Sequence, residues 1–135
     1  MQRTGKVVTP TGREFEFKPT VWGGEHKWPR TKILNYPVQG TGADLVAIGR
    51  VTLFKRAHRN GINACWQSTV HDSIDIDIDG DIEKVYNMCQ LVRESIEDIP
   101  INFQRLFGIK FNLPVRCEIS YGPNLGDLTP WPTKL

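Results

Sequence analysis

The sequence lacks several features that would assign it to a specialised class of protein. Its three cysteines, Cys65, Cys89 and Cys117, are odd in number and form no Cys-x-x-Cys pair, which argues against a disulfide framework or a zinc site. No run of roughly 18 apolar residues occurs, and the basic, polar N-terminus does not resemble a secretory signal. We therefore expect a soluble, cytoplasmic protein with no membrane partner.

A strong net charge is also missing. The formal charge is +2 over 135 residues, so the chain as a whole gives no electrostatic argument for a polyanionic partner. The charges are nevertheless unevenly distributed: residues 1–32 and 45–60 are basic, whereas acids concentrate in residues 72–83. This distribution suits a polyanion that is held by bases and processed by metal on carboxylates, although ordinary solvated faces explain it equally well.

One stretch, residues 67–79, carries the clearest pattern. A β-branched run reaches His71-Asp72-Ser73, and apolar and acidic residues then alternate up to Asp79. Period-2 alternation is typical of a strand with one buried face, and the polar triplet between two such runs predicts a hairpin tip. The tip would hold the Asp72 carboxylate on rigid strands, where a metal-binding acid belongs.

The same stretch partly matches the sequence motif of a calcium-binding loop. Asp75-x-Asp77-x-Asp79-Gly80 matches the start of an EF-hand loop, but the twelfth position, which must supply a bidentate glutamate, is Tyr86. Isoleucines between the aspartates complete a strand instead, and we expect no calcium site.

The remaining patterns predict an α+β fold, a single domain over 1–135 in which antiparallel strands pack on helices. The predicted elements are a hairpin at 4–18, a helix at 41–59, a hairpin at 62–79, a helix at 81–98 and a strand at 114–121. Residues 19–34 are rich in proline and glycine and predict a loop, whose Trp22 and Trp28 are more often core anchors than base-stacking platforms. Asp79 or Asp81 would cap the helix that follows.

The start of the first helix has its own signal. Thr41 and Asp44 have the spacing of a capping box, and Asn60-Gly61 ends the helical pattern. Apolar residues occur nearly all round segment 43–57, which predicts a largely buried helix. Gln39 would then lie just before the helix N-terminus.

These motifs, taken in order, resemble the C-terminal palm of family A DNA polymerases, the group of bacterial polymerase I and several phage replicases. The resemblance rests on Asn35-Tyr36-Pro37-Val38-Gln39-Gly40-Thr41-Gly42-Ala43-Asp44, followed by Val70-His71-Asp72-Ser73. The chain closes with Glu118-Ile119-Ser120-Tyr121-Gly122-Pro123-Asn124, and an early Thr9-Pro10-Thr11-Gly12-Arg13 resembles the family's preceding hairpin. The similarity spans nearly the whole chain and implies one antiparallel, palm-like sheet made of both hairpins and the last strand.

The resemblance implies roles for residues of the tip. Asp72 would be one of two palm aspartates that hold catalytic Mg²⁺, a hard cation that prefers carboxylate and phosphate oxygens. His71 would contact the primer end. Ser73 stands where many members of the family have glutamate. That acid is usually the less essential one, so the departure bears on the fine tuning of the site more than on its activity.

The resemblance also implies DNA contacts away from the tip. Gln39 and Asn35 would lie in the minor groove near the terminal base pair. Arg30, one place out of register with a family arginine, and Arg13 would contact the DNA as well. The implied partners are primer-template DNA and an incoming deoxynucleoside triphosphate.

Two parts of such a polymerase have no counterpart in this sequence: the other metal-binding motif and the fingers helix that binds the nucleotide. One carboxylate cannot build a two-metal site. We therefore expect a C-terminal piece of a split polymerase that needs an upstream fragment, an interpretation favoured by Met1 standing just before the first hairpin. A piece cut from a longer polymerase has the same sequence features.

A different class of function stays open at this point, a non-catalytic palm remnant that binds DNA or a replication protein. A palm piece without its other half should also expose apolar surface, so we expect self-association of the isolated chain through segment 43–57.

Overall fold

The computed structural model describes residues 5–132 and confirms the α+β class. The elements follow in the order β1 (Lys6–Val8), β2 (Glu14–Glu16), β3 (Thr20–Trp22), β4 (Glu25–Lys27), α1 (Arg30–Arg59), β5 (Ala64–Val70), β6 (Ser73–Ile78), α2 (Ile82–Glu97), α3 (Ile99–Phe107), β7 (Ser120–Tyr121) and β8 (Thr129–Pro130). Contacts divide the chain into two compact units, Met1–Val46 and Ala47–Leu135, and α1 contributes residues to both. The sequence had predicted one domain.

The strands do not form the single palm-like sheet that the family resemblance implied. Within residues 5–132 they make four separate two-stranded antiparallel sheets, β1–β2, β3–β4, β5–β6 and β7–β8. Each pair joins consecutive strands, and pairing across a short connection has a small loop-closure cost. Alternation along a strand specifies which face is buried, but it does not specify the partner strand.

The predicted strand at 114–121 is reduced to its last two residues. Ser120–Tyr121 pairs with Thr129–Pro130, and no ladder includes residues 114–119. The predicted alternation is nevertheless present in the burial pattern, because four half-buried side chains alternate with exposed ones: Val115, Cys117, Ile119 and Tyr121. The periodicity therefore predicted correctly which side chains face inward. Its prediction that residues 114–119 pair with another strand was wrong.

Helix α1 begins at Arg30 and not at residue 41. The sequence prediction placed the start after Pro37 because proline removes a helical donor and disfavours the preceding turn. The helix nevertheless continues through Pro37, and the Thr41 hydroxyl donates to the Pro37 carbonyl oxygen at 2.8 Å. Thr41 is thus an interior residue that bonds back one turn, and the predicted capping box is not formed.

In the first unit, the β1–β2 hairpin packs on one face of α1. The Phe15 and Phe17 rings lie 6.1 and 5.9 Å from the Tyr36 ring, measured between centroids. One turn further, Gly40 allows the close approach, since a Cβ there would stand 2.7 Å from Cζ of Phe15. This packing stabilises the helical conformation of the segment around Pro37 and Gly40, although proline and glycine disfavour a helix. Tertiary contacts therefore outweigh local propensity here.

The predicted loop at 19–34 is largely ordered structure in the same unit. It contains the β3–β4 hairpin, which turns at Gly23 and Gly24, and the first residues of α1. Trp28 is half-buried, and its ring lies where a Cβ on Gly5 would touch it at 3.4 Å, so it packs as predicted. Trp22 is 76% exposed, and the prediction that it anchors on a core is wrong.

The core of the second unit lies between α1, α2 and the β5–β6 hairpin. Leu53, Ala57 and Met88 are buried at its centre. Partly buried apolar residues pack around them: Ile62, Ala64, Trp66, Ile76, Ile78, Leu91 and Val92. Helix α1 is less buried than predicted, since Val51 and Phe54 are 49% and 53% exposed.

The later helices follow the sequence closely. Asp81 is the N-cap of α2 and accepts a hydrogen bond from the Lys84 amide at 3.0 Å. The apolar residues within 101–113 are compatible with either a short helix or a packed loop. The segment contains most of α3, and Gly108 ends that helix at φ 69°. Within residues 5–132, no helix has both the length and the apolar character needed to cross a lipid bilayer.

Candidate functional site

The predicted hairpin tip is present at His71-Asp72. Val70 pairs with Ser73, so the two strands are joined by a tight two-residue connection. His71 has φ 54°, and it is the single non-glycine residue with positive φ in the part of the chain that the structure describes. Histidine tolerates this left-handed region better than most residues, yet such conformations persist mainly where the surroundings or a function require them.

The side chains of the tip face solvent. His71, Asp72 and Ser73 are all exposed. The Ser73 hydroxyl donates to the Val70 carbonyl oxygen at 3.0 Å, so it closes the turn. Within residues 5–132 the Asp72 carboxylate takes part in no ion pair. Asp72 is therefore accessible to an external cation, while the hydrogen of Ser73 is engaged in holding the tip.

Packing beneath the hairpin holds this tip in place. Trp66 and Ile76 pair across the strands and pack against the Leu53 core. Closer to the tip, Arg50 of α1 donates from its guanidinium to the Thr69 hydroxyl at 3.0 Å. An irregularity at Gln67 shifts the register between Trp66 and Ser68, and such bulges are frequent next to active sites.

The other aspartates of β6 do not complete a metal site. The Asp75 carboxylate accepts a hydrogen bond from the Ser68 hydroxyl, and Asp77 lies on the strand opposite Cys65. Across residues 5–132, no group of three or more His, Cys, Asp or Glu side chains is placed to hold a metal ion. Mg²⁺ is usually held by one or two carboxylates together with substrate phosphates and water, so the exposed Asp72 carboxylate has the chemistry of one such ligand.

Asn35 and Gln39 lie inside α1, and the prediction that Gln39 precedes the helix is wrong. The two side chains are one turn apart, so they lie on the same side of the helix. Both are exposed, whereas the neighbouring stripe through Tyr36 and Gly40 packs on the first hairpin. Two exposed amides one turn apart can donate and accept hydrogen bonds at base edges, which is the chemistry of minor-groove contacts.

The two predicted DNA-contacting arginines differ in their surroundings. Arg30 is the first residue of α1 and is exposed. Arg13 forms an ion pair with Asp44, 2.5 Å between guanidinium nitrogen and carboxylate oxygen, and the Thr11 hydroxyl also donates to that carboxylate. The hydrogen bond to Arg13 holds the pKa of Asp44 below its ordinary value, and the same bond raises the pKa of Arg13. A DNA phosphate would have to compete with Asp44 for Arg13.

The structure also places residues near the tip that sequence reasoning did not single out. Arg50, Phe54, Trp66 and Thr69 line an open cleft of about 510 Å³ beside β5. The Phe54 and Trp66 rings lie 5.5 Å apart between centroids. The basic composition of residues 45–60 was a signal for Arg50, but only the folded hairpin places it next to Thr69.

Comparison with known proteins gives one informative similarity. No family model matches the chain, and no solved structure matches it significantly. The chain is similar to a DNA polymerase of Bacillus phage SP01, with 27% identity over 124 residues that cover 92% of this chain. The matched region is 13% of the phage protein, so the chain spans a small part of its relative's length. This similarity supports a relation to a DNA polymerase.

Proposed function

We propose that this chain is the C-terminal palm part of a family A DNA polymerase and acts in nucleotidyl transfer together with an upstream fragment. The observation that carries the proposal is the tip: a motif that resembles the family's Val-His-Asp lies on a tight, two-residue hairpin turn with the Asp72 carboxylate exposed. The similarity to a phage DNA polymerase over most of the chain supports the same assignment.

In this proposal each predicted site residue has a separate task. Asp72 supplies one carboxylate ligand for Mg²⁺, and His71 contacts the primer end beside it. Gln39 and Asn35 bind the minor groove near the terminal base pair through their exposed amides. Arg30 is available for a phosphate, whereas Arg13 acts first on Asp44 and so fixes the β1–β2 hairpin on α1.

Mg²⁺, when bound, supplies Lewis-acid activation of the primer 3′-hydroxyl and charge stabilisation of the departing pyrophosphate. The contribution of this chain is positional. The Leu53 core and the hydrogen bond from Arg50 to Thr69 hold the β5–β6 hairpin, so the backbone that carries Asp72 is positioned before substrate arrives. The Ser73 hydroxyl keeps the turn closed through the Val70 carbonyl group.

The proposal requires residues from outside this sequence. A two-metal site needs a second carboxylate, and the described part of the chain groups no three metal-binding side chains together. The upstream fragment therefore supplies the other aspartate and the fingers that bind the deoxynucleoside triphosphate. The chain by itself is inactive, whether the upstream part belongs to a separate polypeptide or to the same one.

Complementation tests the proposal directly. The purified chain is mixed with the upstream catalytic segment of its own polymerase, and extension of a labelled primer is measured with and without Mg²⁺. Activity should appear only in the mixture with Mg²⁺, and Asp72→Ala should abolish it. Asp77→Ala is the matched control, an exposed aspartate on the same hairpin that should leave extension unchanged. Tight binding of the two parts without any extension would refute the catalytic role.

The exposed Asn35, Gln39 and Arg30 side chains also fit a second function, a palm remnant that binds DNA or a replication protein without catalysis. The complementation assay separates the two functions. Either would bind primer-template DNA with an affinity that falls with salt, but for a remnant no upstream segment would restore extension.

A further inference from the structure

The β3–β4 hairpin exposes two large apolar side chains, Val21 and Trp22. All six residues of its two strands are exposed, and Val21 and Trp22 are 63% and 76% exposed. Tryptophan is among the side chains that most often carry binding energy when they stand on a surface. An exposed indole on a short, well-formed hairpin is therefore a candidate interaction site.

The pairing of the hairpin gives it two different faces. Thr20 pairs with Lys27 and Trp22 with Glu25, so these four side chains share one face. On this face the Lys27 ammonium lies 5.1 Å from the centroid of the Trp22 ring, a cation–π contact. The opposite face carries Val21 with His26.

The surroundings of this hairpin are basic. Residues 18–32 contain Lys18, Lys27, Arg30 and Lys32, with Glu25 as the single acid. None of the four basic side chains forms a salt bridge to another residue of the described range 5–132. The charge is thus free to attract an anion, and its arrangement beside an exposed aromatic ring suits a phosphate polymer whose bases can stack.

We infer that the face of the β3–β4 hairpin bearing Trp22 and Lys27 binds single-stranded nucleic acid. A base stacks on the indole, and the adjacent phosphate contacts the Lys27 ammonium. Sequence-tolerant stacking suits a strand that is bound without base pairing. The identification of the bound nucleic acid as unpaired template rests on the proposed polymerase function. The inference that the hairpin binds single-stranded nucleic acid does not depend on that function.

Binding of a fluorescein-labelled oligothymidylate to the chain, followed by anisotropy at several salt concentrations, tests the inference. Trp22→Ala should weaken binding roughly fivefold or more, the lower limit for loss of one base stack, and Trp22→Phe should retain most of the affinity. Lys27→Ala should reduce the slope of log affinity against log salt by about 0.7, the value for one phosphate contact on a single strand. Val21→Ser, on the opposite face, is the matched control and should bind normally.

Each outcome decides between this face and its alternatives. Wild-type affinity in Trp22→Ala, an equal loss in Val21→Ser, or no binding of the oligonucleotide by the wild-type chain would overturn the inference. Equal affinity for a duplex of the same length, with the same dependence on Trp22, would overturn the preference for single strands. Oligonucleotide binding is measured on the chain alone, without the upstream segment and without Mg²⁺, so a failure of primer extension in the complemented mixture would refute the polymerase proposal and leave this result intact. Trp22 is exposed, so circular dichroism of Trp22→Ala should match the wild type.

Discussion

The β5–β6 and β3–β4 hairpins are both antiparallel pairs closed by tight turns, yet they are held in different ways. The β5–β6 hairpin packs Trp66, Ile76 and Ile78 against a buried core of α1 and α2. The β3–β4 hairpin has no buried residue and is held by its own ladder and a Gly-Gly turn. An isolated two-stranded hairpin is only marginally stable in water. The β5–β6 hairpin is therefore held in place by its packing, whereas the β3–β4 hairpin lacks this support.

This difference suits the two sites that we propose. A carboxylate that binds a metal needs a position held within a fraction of an ångström, and Asp72, the proposed metal ligand, lies on the packed hairpin. A surface on which the bases of a flexible strand stack tolerates movement, and Trp22, the proposed stacking residue, lies on the unpacked hairpin. The β1–β2 hairpin has intermediate support, because aromatic contacts and the Arg13–Asp44 ion pair hold it on α1.

The largest effect is expected from removing the support beneath β5–β6. Leu53 is fully buried, so Leu53→Ala leaves a cavity and should lower the free energy of unfolding by about 2–5 kcal/mol. Urea denaturation followed by circular dichroism measures this loss. Val21→Ala on β3 is the control, and a change of no more than about 0.5 kcal/mol is expected there. Equal losses in the two variants would contradict the contrast between the hairpins.

The next effect concerns activity at the tip of β5–β6. Asparagine also adopts the left-handed conformation seen at residue 71, so His71→Asn should change the free energy of unfolding by less than about 0.5 kcal/mol. Primer extension by the complemented mixture should fall about tenfold, as for loss of one hydrogen bond in the transition state. Unchanged extension rates would show that His71 serves only the turn.

A smaller effect is expected for the β1–β2 hairpin. The pKa of Asp44 is lowered by its hydrogen bond to Arg13, so the resulting stability is complete above the ordinary aspartate pKa and is lost as pH falls below about 4. Asp44→Asn should lower the urea midpoint at neutral pH by less than Leu53→Ala does. In this variant the free energy of unfolding should also decrease less between about pH 4 and pH 2 than it does in the wild type. An acid limb identical to that of the wild type would refute the assignment.

The smallest global effect is expected at the turn of β3–β4. Gly24 has φ 81°, which costs an L-residue about 1 kcal/mol, so Gly24→Ala should loosen the hairpin locally. Global unfolding should shift by less than about 0.5 kcal/mol, because the hairpin buries no core residue. Hydrogen exchange of the β3 and β4 amides should accelerate, while exchange in β5 and β6 stays unchanged. Faster exchange in both hairpins would contradict their independence.

The sequence predicted the features that depend on local pattern. Alternation over residues 67–79 predicted the β5–β6 hairpin with His71-Asp72 at its tip, and acid placement predicted the Asp81 cap of α2. The α+β class followed from the same periodicities. The assignment of Asp72, Gln39, Asn35 and Arg30 to catalysis or DNA binding stays a prediction. For Gln39, Asn35 and Arg30 it derives from family resemblance, and for Asp72 it derives also from the predicted hairpin tip.

Features that depend on distant partners were not predictable. Helix α1 passes through Pro37 and Gly40 because the first hairpin packs on it, and no local rule contains that contact. Residues 114–119 have the predicted alternating burial without a ladder, because burial follows from local alternation whereas strand pairing requires a partner. Trp22 was expected on a core and is exposed, because a hydrophobic side chain is buried only where another element covers it.

The sequence by itself determined the Asp72 tip, since alternation and a polar turn suffice to place a carboxylate at the end of a hairpin. Tertiary structure alone decided which hairpin is rigid. The Leu53 core supports β5–β6, and β3–β4 gains no such support from the described residues. The physical reason is that turn and strand preferences act over a few residues, whereas the buried area that fixes a hairpin comes from helices distant in the chain.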